Sequence, residues 1–191
     1  MQKKKNIFRR RGFAIIFCLA LILSSMALSV NRSLGAKCQE VTNLFYVGVP
    51  VRNSLLKRPS IETQLKNCGT TANALLTVTA PFDDLNEDSE ALRAAVNGLY
   101  QADSIKDKYT ANNNLARAFY TCVDKLEQRS LSERTQMIME TCIDEFQAAQ
   151  LEIESSGYND AVREFYRDTL NVFPANYLKW MIDGKLPDLF E

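Results

Sequence analysis

Residues 115–133 read LARAFYTCVDKLEQRSLSE, and this stretch decides the fold class. Apolar residues recur in it at steps of four, three and four, namely Leu115, Phe119, Cys122 and Leu126. This spacing places them on one face of an α-helix. Residues 130–133 (SLSE) have the pattern of a capping box, which predicts a second helix after a very short turn. A turn this short makes neighbouring helices antiparallel.

The second helix is predicted to be long, over about residues 132–172. Its apolar seam has steps of three and four, as in the core of a helical bundle: Met139, Cys142, Phe146, Ala149, Ile153, Gly157, Ala161, Phe165, Asp168 and Val172. Gly157 on this seam is interpreted as a packing residue that lets a neighbouring backbone approach. Phe173-Pro174 is predicted to end the helix, because proline cannot continue it.

Earlier segments of the chain also have helical spacing. Helices are predicted over about residues 35–47, 60–80 and 89–102, and another from residue 104, with Ser60, Ser89 and Ser104 as N-caps. Gly48 and Pro50 are predicted to end the first of them. Only 7 glycines and 5 prolines occur, too few for the many turns of an all-β fold. The sequence therefore predicts an all-α antiparallel up-and-down four-helix bundle.

The N-terminal segment predicts membrane targeting. Residues 12–30 (GFAIIFCLALILSSMALSV) carry no charge and follow six basic residues: Lys3, Lys4, Lys5, Arg9, Arg10 and Arg11. The segment fits either a transmembrane helix or a signal peptide with a small-x-small site near residues 34–36. Residues 1–36 are therefore interpreted as signal or anchor, and residues 37–191 as the helical domain. The basic flank predicts that the body is extracytoplasmic, either on a single span or secreted after signal cleavage.

Charge and composition exclude several classes of function. Without the six N-terminal basic residues, 17 Lys and Arg face 23 Asp and Glu, a net charge of −6, which disfavours binding to nucleic acid. No histidine is present, so a histidine base, nucleophile pair or metal site is excluded. We expect no catalytic residue, no cofactor-binding residue and no metal ligand.

Cysteines and acidic residues are the remaining candidates for a catalytic, redox or metal-binding role. Beyond the apolar segment, Cys38, Cys68, Cys122 and Cys142 lie far apart in sequence, so they form no C-x-x-C motif. Cys122 and Cys142 are at different distances from the predicted turn and lie on apolar seams. They are interpreted as small core residues, although an exported domain permits disulfides. The acidic residues between 83 and 90 could bind a cation loosely, but a solvated loop and helix start is the better interpretation.

Residues near the C-terminal end carry a resemblance to a known family. Residues 157–165 (GYNDAVREF), then 173–176 (FPAN), and finally 189–191 (LFE) resemble the corresponding elements of the LemA family. The resemblance implies an antiparallel four-helix bundle on a membrane anchor, with no established molecular activity. The interruption at Gly48 and Pro50 differs from the long first helix of the family, and predicts that no straight helix continues out of the membrane.

The same elements carry expectations about structure. Tyr158, Phe165 and Phe173 are spaced as one aromatic stripe, which predicts a core role. The residues after Pro174 are predicted to fold back, so that Leu178, Trp180 and Leu186 cover the open end of the core. Asn159, Asp160 and Arg163 fall on another side of the helix, where they could form a partner surface.

The preferred functional hypothesis is a non-enzymatic, envelope-associated module that binds an unidentified protein partner. One alternative is an extracytoplasmic ligand-sensing bundle, although no second span or cytoplasmic output follows the body. A second alternative is a metal-dependent hydrolase that uses carboxylates alone. That enzyme needs inward-facing acids, and the predicted seams contain none before Asp168.

Overall fold

A computed structural model describes residues 11–48, 59–178 and 186–191. Within these ranges the regular structure is helical and contains no β-strand, which confirms the all-α prediction. The helices in chain order are α1 Arg11–Tyr46, α2 Ile61–Thr79, α3 Asn86–Gln101, α4 Ile105–Glu127, α5 Glu133–Glu154, α6 Tyr158–Phe165 and α7 Ala175–Leu178. A 3-10 turn, Asp83–Leu85, precedes α3, and a π-helical turn, Tyr166–Leu170, follows α6.

Backbone contacts divide the chain into two compact units. The first comprises the described residues of Met1–Glu40 and Arg163–Leu186. The second comprises those of Val41–Val162 and Pro187–Glu191, and therefore contains all of α2, α3, α4 and α5.

Helix α1 includes the apolar segment and continues without a break to Tyr46. Its most apolar window has a mean hydropathy of 2.5, so by length and composition it can be a membrane span or a signal sequence. Its 36 residues extend roughly 54 Å, against a hydrocarbon core of about 30 Å. The predicted separate helix over 35–47 is wrong, because residues 31–36 contain no proline that would interrupt α1.

The predicted end of this helix is confirmed. The last hydrogen bonds precede Gly48, which has a φ of +86°, in the left-handed region that glycine adopts easily. The expectation that no helix extends beyond the membrane segment is nevertheless wrong, because α1 reaches Tyr46 before it ends. Pro50, the other predicted breaker, and the basic residues at positions 3–10 lie outside the described residues.

Helices α2 and α4 begin at the predicted N-caps. The Ser60 hydroxyl accepts a hydrogen bond from the Thr63 N–H at 3.1 Å, and the Ser104 hydroxyl accepts one from the Asp107 N–H at 3.0 Å. In each case a polar side chain satisfies an amide that the first helical turn leaves without a partner.

Helix α3 begins earlier than predicted, at Asn86. The 3-10 turn before it already directs the chain into the helix, since the Leu85 N–H donates to the Phe82 carbonyl at 3.0 Å. The prediction that Ser89 is the N-cap is therefore wrong. Ser89 lies inside α3, where its hydroxyl donates to the Thr79 hydroxyl of α2 at 2.8 Å.

The seams predicted for α4 and for the first part of the following helix are confirmed. These nine side chains are all buried: Leu115, Phe119, Cys122, Leu126, Met139, Cys142, Phe146, Ala149 and Ile153. Helix α5 begins at Glu133, within one residue of the prediction, but its N-cap is Ser132 rather than Ser130, and accepts from the Thr135 N–H at 3.2 Å.

The long helix predicted over 132–172 is interrupted at Gly157. Helix α5 ends at Glu154, and α6 begins at Tyr158. Gly157 is exposed and has a φ of +71°, and a Cβ added to it would meet nothing within 4 Å. The packing role predicted for this glycine is therefore wrong. Gly157 ends a helix by adopting the left-handed conformation that side chains with a Cβ disfavour.

The interruption changes which residues are buried after it. The three residues between α5 and α6 shift the positions that face the core, so only part of the predicted seam beyond Ile153 is buried. Tyr158 and Phe165 are buried as predicted, and Val162 joins them. Phe173 is 74% exposed, so its predicted core role is wrong, and the seam residues Asp168 and Val172 are exposed as well.

Of the three residues predicted to cover the core, only Leu186 has a described side chain. Leu186 is only half-buried, whereas Pro187 and Phe190 are buried. The side chain of Leu178 and the whole of Trp180 lie outside the described residues.

Helices α2 and α3 run in opposite directions. Their contacts join Thr79 at the end of α2 to Ser89 near the start of α3. At the other end, Tyr100 covers Gly69, where an added Cβ would lie 2.6 Å from the tyrosine hydroxyl.

Helix α5 also runs opposite to α2. The Thr71 hydroxyl donates to Glu145 at 3.3 Å, and the Gln150 amide donates to the Cys68 sulfur at 3.5 Å. The residue numbers therefore rise along α2 as they fall along α5.

Candidate interaction surfaces

A segment without regular secondary structure, Pro187–Glu191, is bound to the start of α6; we call it the docked segment. Asn159 contacts the backbone of Phe190 twice. Its side-chain oxygen accepts from the Phe190 N–H at 2.8 Å, and its amide donates to the Phe190 carbonyl at 2.9 Å. One asparagine side chain thus reproduces the paired contacts that a β-strand offers its neighbour. Asn159, which the sequence analysis assigned to a possible partner surface, therefore binds a segment of its own chain in this structure.

Tyr158 provides the next contact to the docked segment. Its hydroxyl donates to the Asp188 carbonyl at 2.7 Å, two residues before the backbone that Asn159 binds. The tyrosine is 1% exposed, so α6 holds this hydroxyl in a fixed position. These three hydrogen bonds involve the backbone of the docked segment, and therefore do not depend on its side chains.

The Phe190 side chain enters a cluster of rings that we call the aromatic cage, formed by Phe45, Tyr109 and Tyr158. The Phe190 ring centroid lies 5.6 Å from that of Phe45 and 5.2 Å from that of Tyr109. The Phe45 and Tyr158 rings meet edge-to-face at 5.4 Å. These separations are favourable for aromatic pairs, and Phe190 is only 7% exposed.

A charged pair lies beside the aromatic cage. Lys108 forms a salt bridge with Glu62, and its ammonium group lies 5.4 Å from the centre of the Tyr46 ring and 6.0 Å from that of Phe45. The Lys108 side chain is 12% exposed, so the carboxylate and the ring faces replace water around its charge. This arrangement ties α2, α4 and the end of α1 together around the cage.

A groove between α3 and α4 has a volume of about 520 Å³. We call it the alanine groove, because small side chains form its floor: Ala91, Ala94, Ala95, Gly98, Ala111 and Ala118. Its polar margin includes Asp88 and Arg117. Such a surface lets a neighbouring helix approach closely, with charges at the rim that can set its direction.

A second groove, between α2 and α5, is polar and has a volume of about 400 Å³. It is lined by amides and hydroxyls together with two carboxylates, Glu145 and Glu152. Glu145 already accepts the Thr71 hydroxyl. Across the parts of the chain that the structure describes, no group of three or more Cys, Asp or Glu side chains could hold a metal ion.

Two carboxylates of the acidic run are paired with cations of α4 and its C-terminal flank. Asp84 forms a salt bridge with Arg129, and Asp88 forms one with Lys125. The hydrogen bond from Arg129 lowers the pKa of Asp84, and the guanidinium group also lies 5.0 Å from the centre of the Phe82 ring. These carboxylates therefore hold the turn before α3 against the end of α4, which agrees with a loop-and-helix-start interpretation.

Helices α4 and α5 share a buried pair of amides. Asn112 and Gln150 exchange two hydrogen bonds, each of 3.0 Å, and Asn112 is only 4% exposed. The two asparagines that follow it, Asn113 and Asn114, are exposed. Gln150 of α5 also donates to Cys68 of α2, so its side chain has hydrogen-bond partners on both α2 and α4.

Cys122 and Cys142 have the core positions predicted for them, and the other two cysteines beyond the apolar segment are buried as well. Cys38, Cys68, Cys122 and Cys142 are all buried, and the last three are free thiols. Burial raises the pKa of Cys68 to about 12 and that of Cys122 to about 11. Such thiols stay protonated at neutral pH and are poor nucleophiles or metal ligands.

No match was found among known proteins. Family models, curated proteins and solved structures all fail to match the chain. The resemblance to the LemA family accordingly stays a prediction that the residues of α6 and the docked segment motivate.

Sequence reasoning missed both interaction surfaces. The alanine groove has a visible signal, because Ala91, Ala94, Ala95 and Gly98 recur at steps of three and four. The role of Asn159 has no signal in local spacing, since its partner lies 31 residues away.

Proposed function

We propose that this protein is a membrane-anchored, non-enzymatic helical module of LemA-like type that binds a partner protein through the alanine groove. The body is proposed to be extracytoplasmic, because the basic residues precede the apolar segment and positive charge stays on the cytoplasmic side. The observation that carries the proposal is an exposed groove of small side chains on a body that also possesses a possible membrane span.

The shape of the groove supports a helical partner. Ala91, Ala94 and Gly98 are exposed and follow one side of α3, while Ala111 and Ala118 lie opposite them on α4. Short side chains on both walls leave room for the larger side chains of a third helix. Asp88 and Arg117 at the margin provide charges of both signs for a polar rim.

We also propose that α2 to α5 form the antiparallel up-and-down four-helix bundle that the LemA resemblance implies. Three sets of contacts support this arrangement: those of α2 with α3, those of α2 with α5, and those of α4 with α5. In the last set, Asn112 meets Gln150 and Phe119 stacks on Phe146, with 4.1 Å between ring centroids. In every set the residue numbers rise along one helix as they fall along the other.

Photo-crosslinking in native membranes tests the proposal. A photoreactive amino acid at Ala94 of the full chain is expected to give a discrete adduct with one partner protein. Gly98→Trp should abolish that adduct, because the indole fills the groove next to position 94. Retention of the helical circular dichroism spectrum would show that the tryptophan has not unfolded the body.

Position 148 provides the matched control. Ala148 is also an exposed alanine on a helix, but it lines the polar groove between α2 and α5. We expect no adduct from position 148, and no effect of Ala148→Trp on the adduct from position 94. Equal adducts from both positions, or none from position 94, would contradict the assignment of the alanine groove as the binding surface.

A further inference from the structure

The docked segment is bound by contacts that a separate peptide of the same sequence could also make. Two of its backbone groups pair with Asn159, and a third accepts the Tyr158 hydroxyl. Its one deeply inserted ring, Phe190, lies in the aromatic cage. Extended peptides are recognised in this way elsewhere, with backbone hydrogen bonds for affinity and a side-chain pocket for specificity.

We propose that the aromatic cage together with Asn159 is a peptide-binding site, and that Pro187–Glu191 occupies it as a releasable intramolecular ligand. The ligand class is an extended peptide with phenylalanine at the position of Phe190. This inference does not depend on the alanine groove, which is formed by other faces of α3 and α4.

The walls of the site come from elements that are well separated in sequence. Phe45 belongs to the end of α1, Tyr109 to α4, and Tyr158 with Asn159 to the first turn of α6. Phe45 and Tyr158 are 0% and 1% exposed, and each contacts the other as well as the docked segment. The cage therefore has ring-to-ring contacts of its own that do not require Phe190.

Specificity follows from the geometry of Asn159 and the cage. The asparagine amide needs one backbone N–H and one carbonyl from the same residue, so that residue must be extended and cannot be proline. The cage is lined by ring faces and edges, which favour an aromatic side chain over an aliphatic one. Pro187 at the start of the docked segment is also buried, and pre-sets an extended approach.

The docked segment acts as an intramolecular competitive inhibitor, because it competes with any other peptide for the same site. Because the segment belongs to the same chain as the site, its local concentration is high, and a free peptide binds the complete chain only when it exceeds that effective concentration. Release of Pro187–Glu191 exposes the cage and the Asn159 amide together, which makes the site available to a second peptide.

The test measures binding of a fluorescent peptide, Pro-Asp-Leu-Phe-Glu, by anisotropy. A full-length chain in detergent micelles is compared with a variant that stops at residue 186. We expect saturable binding to the shortened variant, and binding to the complete chain that is at least about tenfold weaker, because its own segment competes. A peptide with alanine in place of phenylalanine should bind neither chain.

Asn159→Ala in the shortened variant should weaken the peptide by about tenfold or more, because two hydrogen bonds are lost. A peptide methylated on the phenylalanine backbone nitrogen should also bind more weakly, and should lose less when combined with Asn159→Ala than it does alone. Asn113→Ala is the matched control: Asn113 is exposed on α4, and its removal should leave the affinity unchanged.

A second variant keeps the proposal testable if the shortened chain loses its helical spectrum. Phe190→Ala in the complete chain removes the ring that holds the docked segment in the aromatic cage, so the altered segment should compete poorly for the site. It should bind the free peptide more tightly than the unaltered chain does. Absence of peptide binding to every folded variant at several millimolar would overturn the proposal, and would show that the docked segment is an integral part of the core.

Discussion

At the scale of single residues, backbone conformation explains Gly157. The open space around it means that side-chain volume is irrelevant, whereas its φ of +71° is strained for any residue with a Cβ. Gly98 is the natural comparison, since it is also exposed with nothing within 4 Å, but lies inside α3. The two glycines therefore predict opposite responses to the same substitution.

Gly157→Ala and Gly157→Leu should each destabilise the protein by about 1 kcal/mol, because both force a Cβ into the left-handed region. Gly98→Ala should stabilise it by about 0.5–1 kcal/mol, because alanine is the better residue inside a helix. Denaturant unfolding monitored by circular dichroism measures all three. A much larger loss for leucine than for alanine at position 157 would restore the packing interpretation.

The buried thiols give a second prediction at this scale. The pKa of Cys68 is raised to about 12 and that of Cys122 to about 11. Raised values mean that the native thiols stay protonated, whereas the same thiols in the unfolded chain ionise near their usual value of about 9. Native protein with the exposed Cys18 replaced, as in Cys18→Ser, should therefore not react with a thiol reagent at pH 8. Unfolding in denaturant should release four thiols, and rapid reaction of the native variant would contradict their burial.

At the scale of helices, the Asn112–Gln150 pair fixes how α4 lies against α5. The surrounding contacts, such as the stack of Phe119 on Phe146, are apolar and tolerate sliding. The two hydrogen bonds between the amides would break if one helix slid along the other, so the pair selects one register between the helices. The pair is also the point where α2 joins, through Cys68.

Asn112→Ala should lower the free energy of unfolding by about 1–3 kcal/mol, because the largely buried Gln150 amide loses both of its hydrogen bonds to Asn112. The combined variant Asn112→Leu with Gln150→Met should be close to neutral, since it removes both polar groups together. Unfolding midpoints for the two single variants and the pair measure the coupling. Strict additivity would show that the two side chains act independently.

At the scale of the whole molecule, helix α1 is long and apolar enough to be a membrane span or a signal sequence. Its apolar side chains are exposed along the segment, with Ile16 at 68% and Leu23 at 66%. Such a surface needs lipid, or removal of the segment by signal cleavage, and fractionation distinguishes the two.

We expect the full chain to stay in the membrane pellet after alkaline carbonate extraction. Arginine at Leu21 and Ile22 should release it or prevent insertion, because each charge at the centre of a span costs about 2.5–3.5 kcal/mol. Glu40→Arg changes the net charge by the same +2 at an exposed position of α1 beyond the apolar segment, and should leave the chain in the pellet. A soluble product that lacks the apolar segment would instead identify a cleaved signal peptide.

Local sequence determined which segments are helical and which faces of α4 and α5 are buried. The seam from Leu115 to Ile153 follows directly from helical spacing, and the caps at Ser60 and Ser104 follow from side chains that bond amides three residues away. Interactions of this kind lie within one or two turns of helix, so the sequence displays them. The predicted continuation of one helix through Gly157 is wrong. A glycine is compatible both with a helical seam and with a left-handed turn between helices, so its presence in the sequence does not distinguish the two.

Only the tertiary structure decided the candidate sites. Asn159 binds Phe190 across 31 residues, and Phe45, Tyr109 and Tyr158 form one cage from three helices. Asn112 precedes two exposed asparagines in the sequence, yet its hydrogen bonds with Gln150 make its own burial favourable. The local sequence does not reveal whether a polar side chain is exposed or buried. Burial is favourable only when another part of the fold supplies a hydrogen-bond partner.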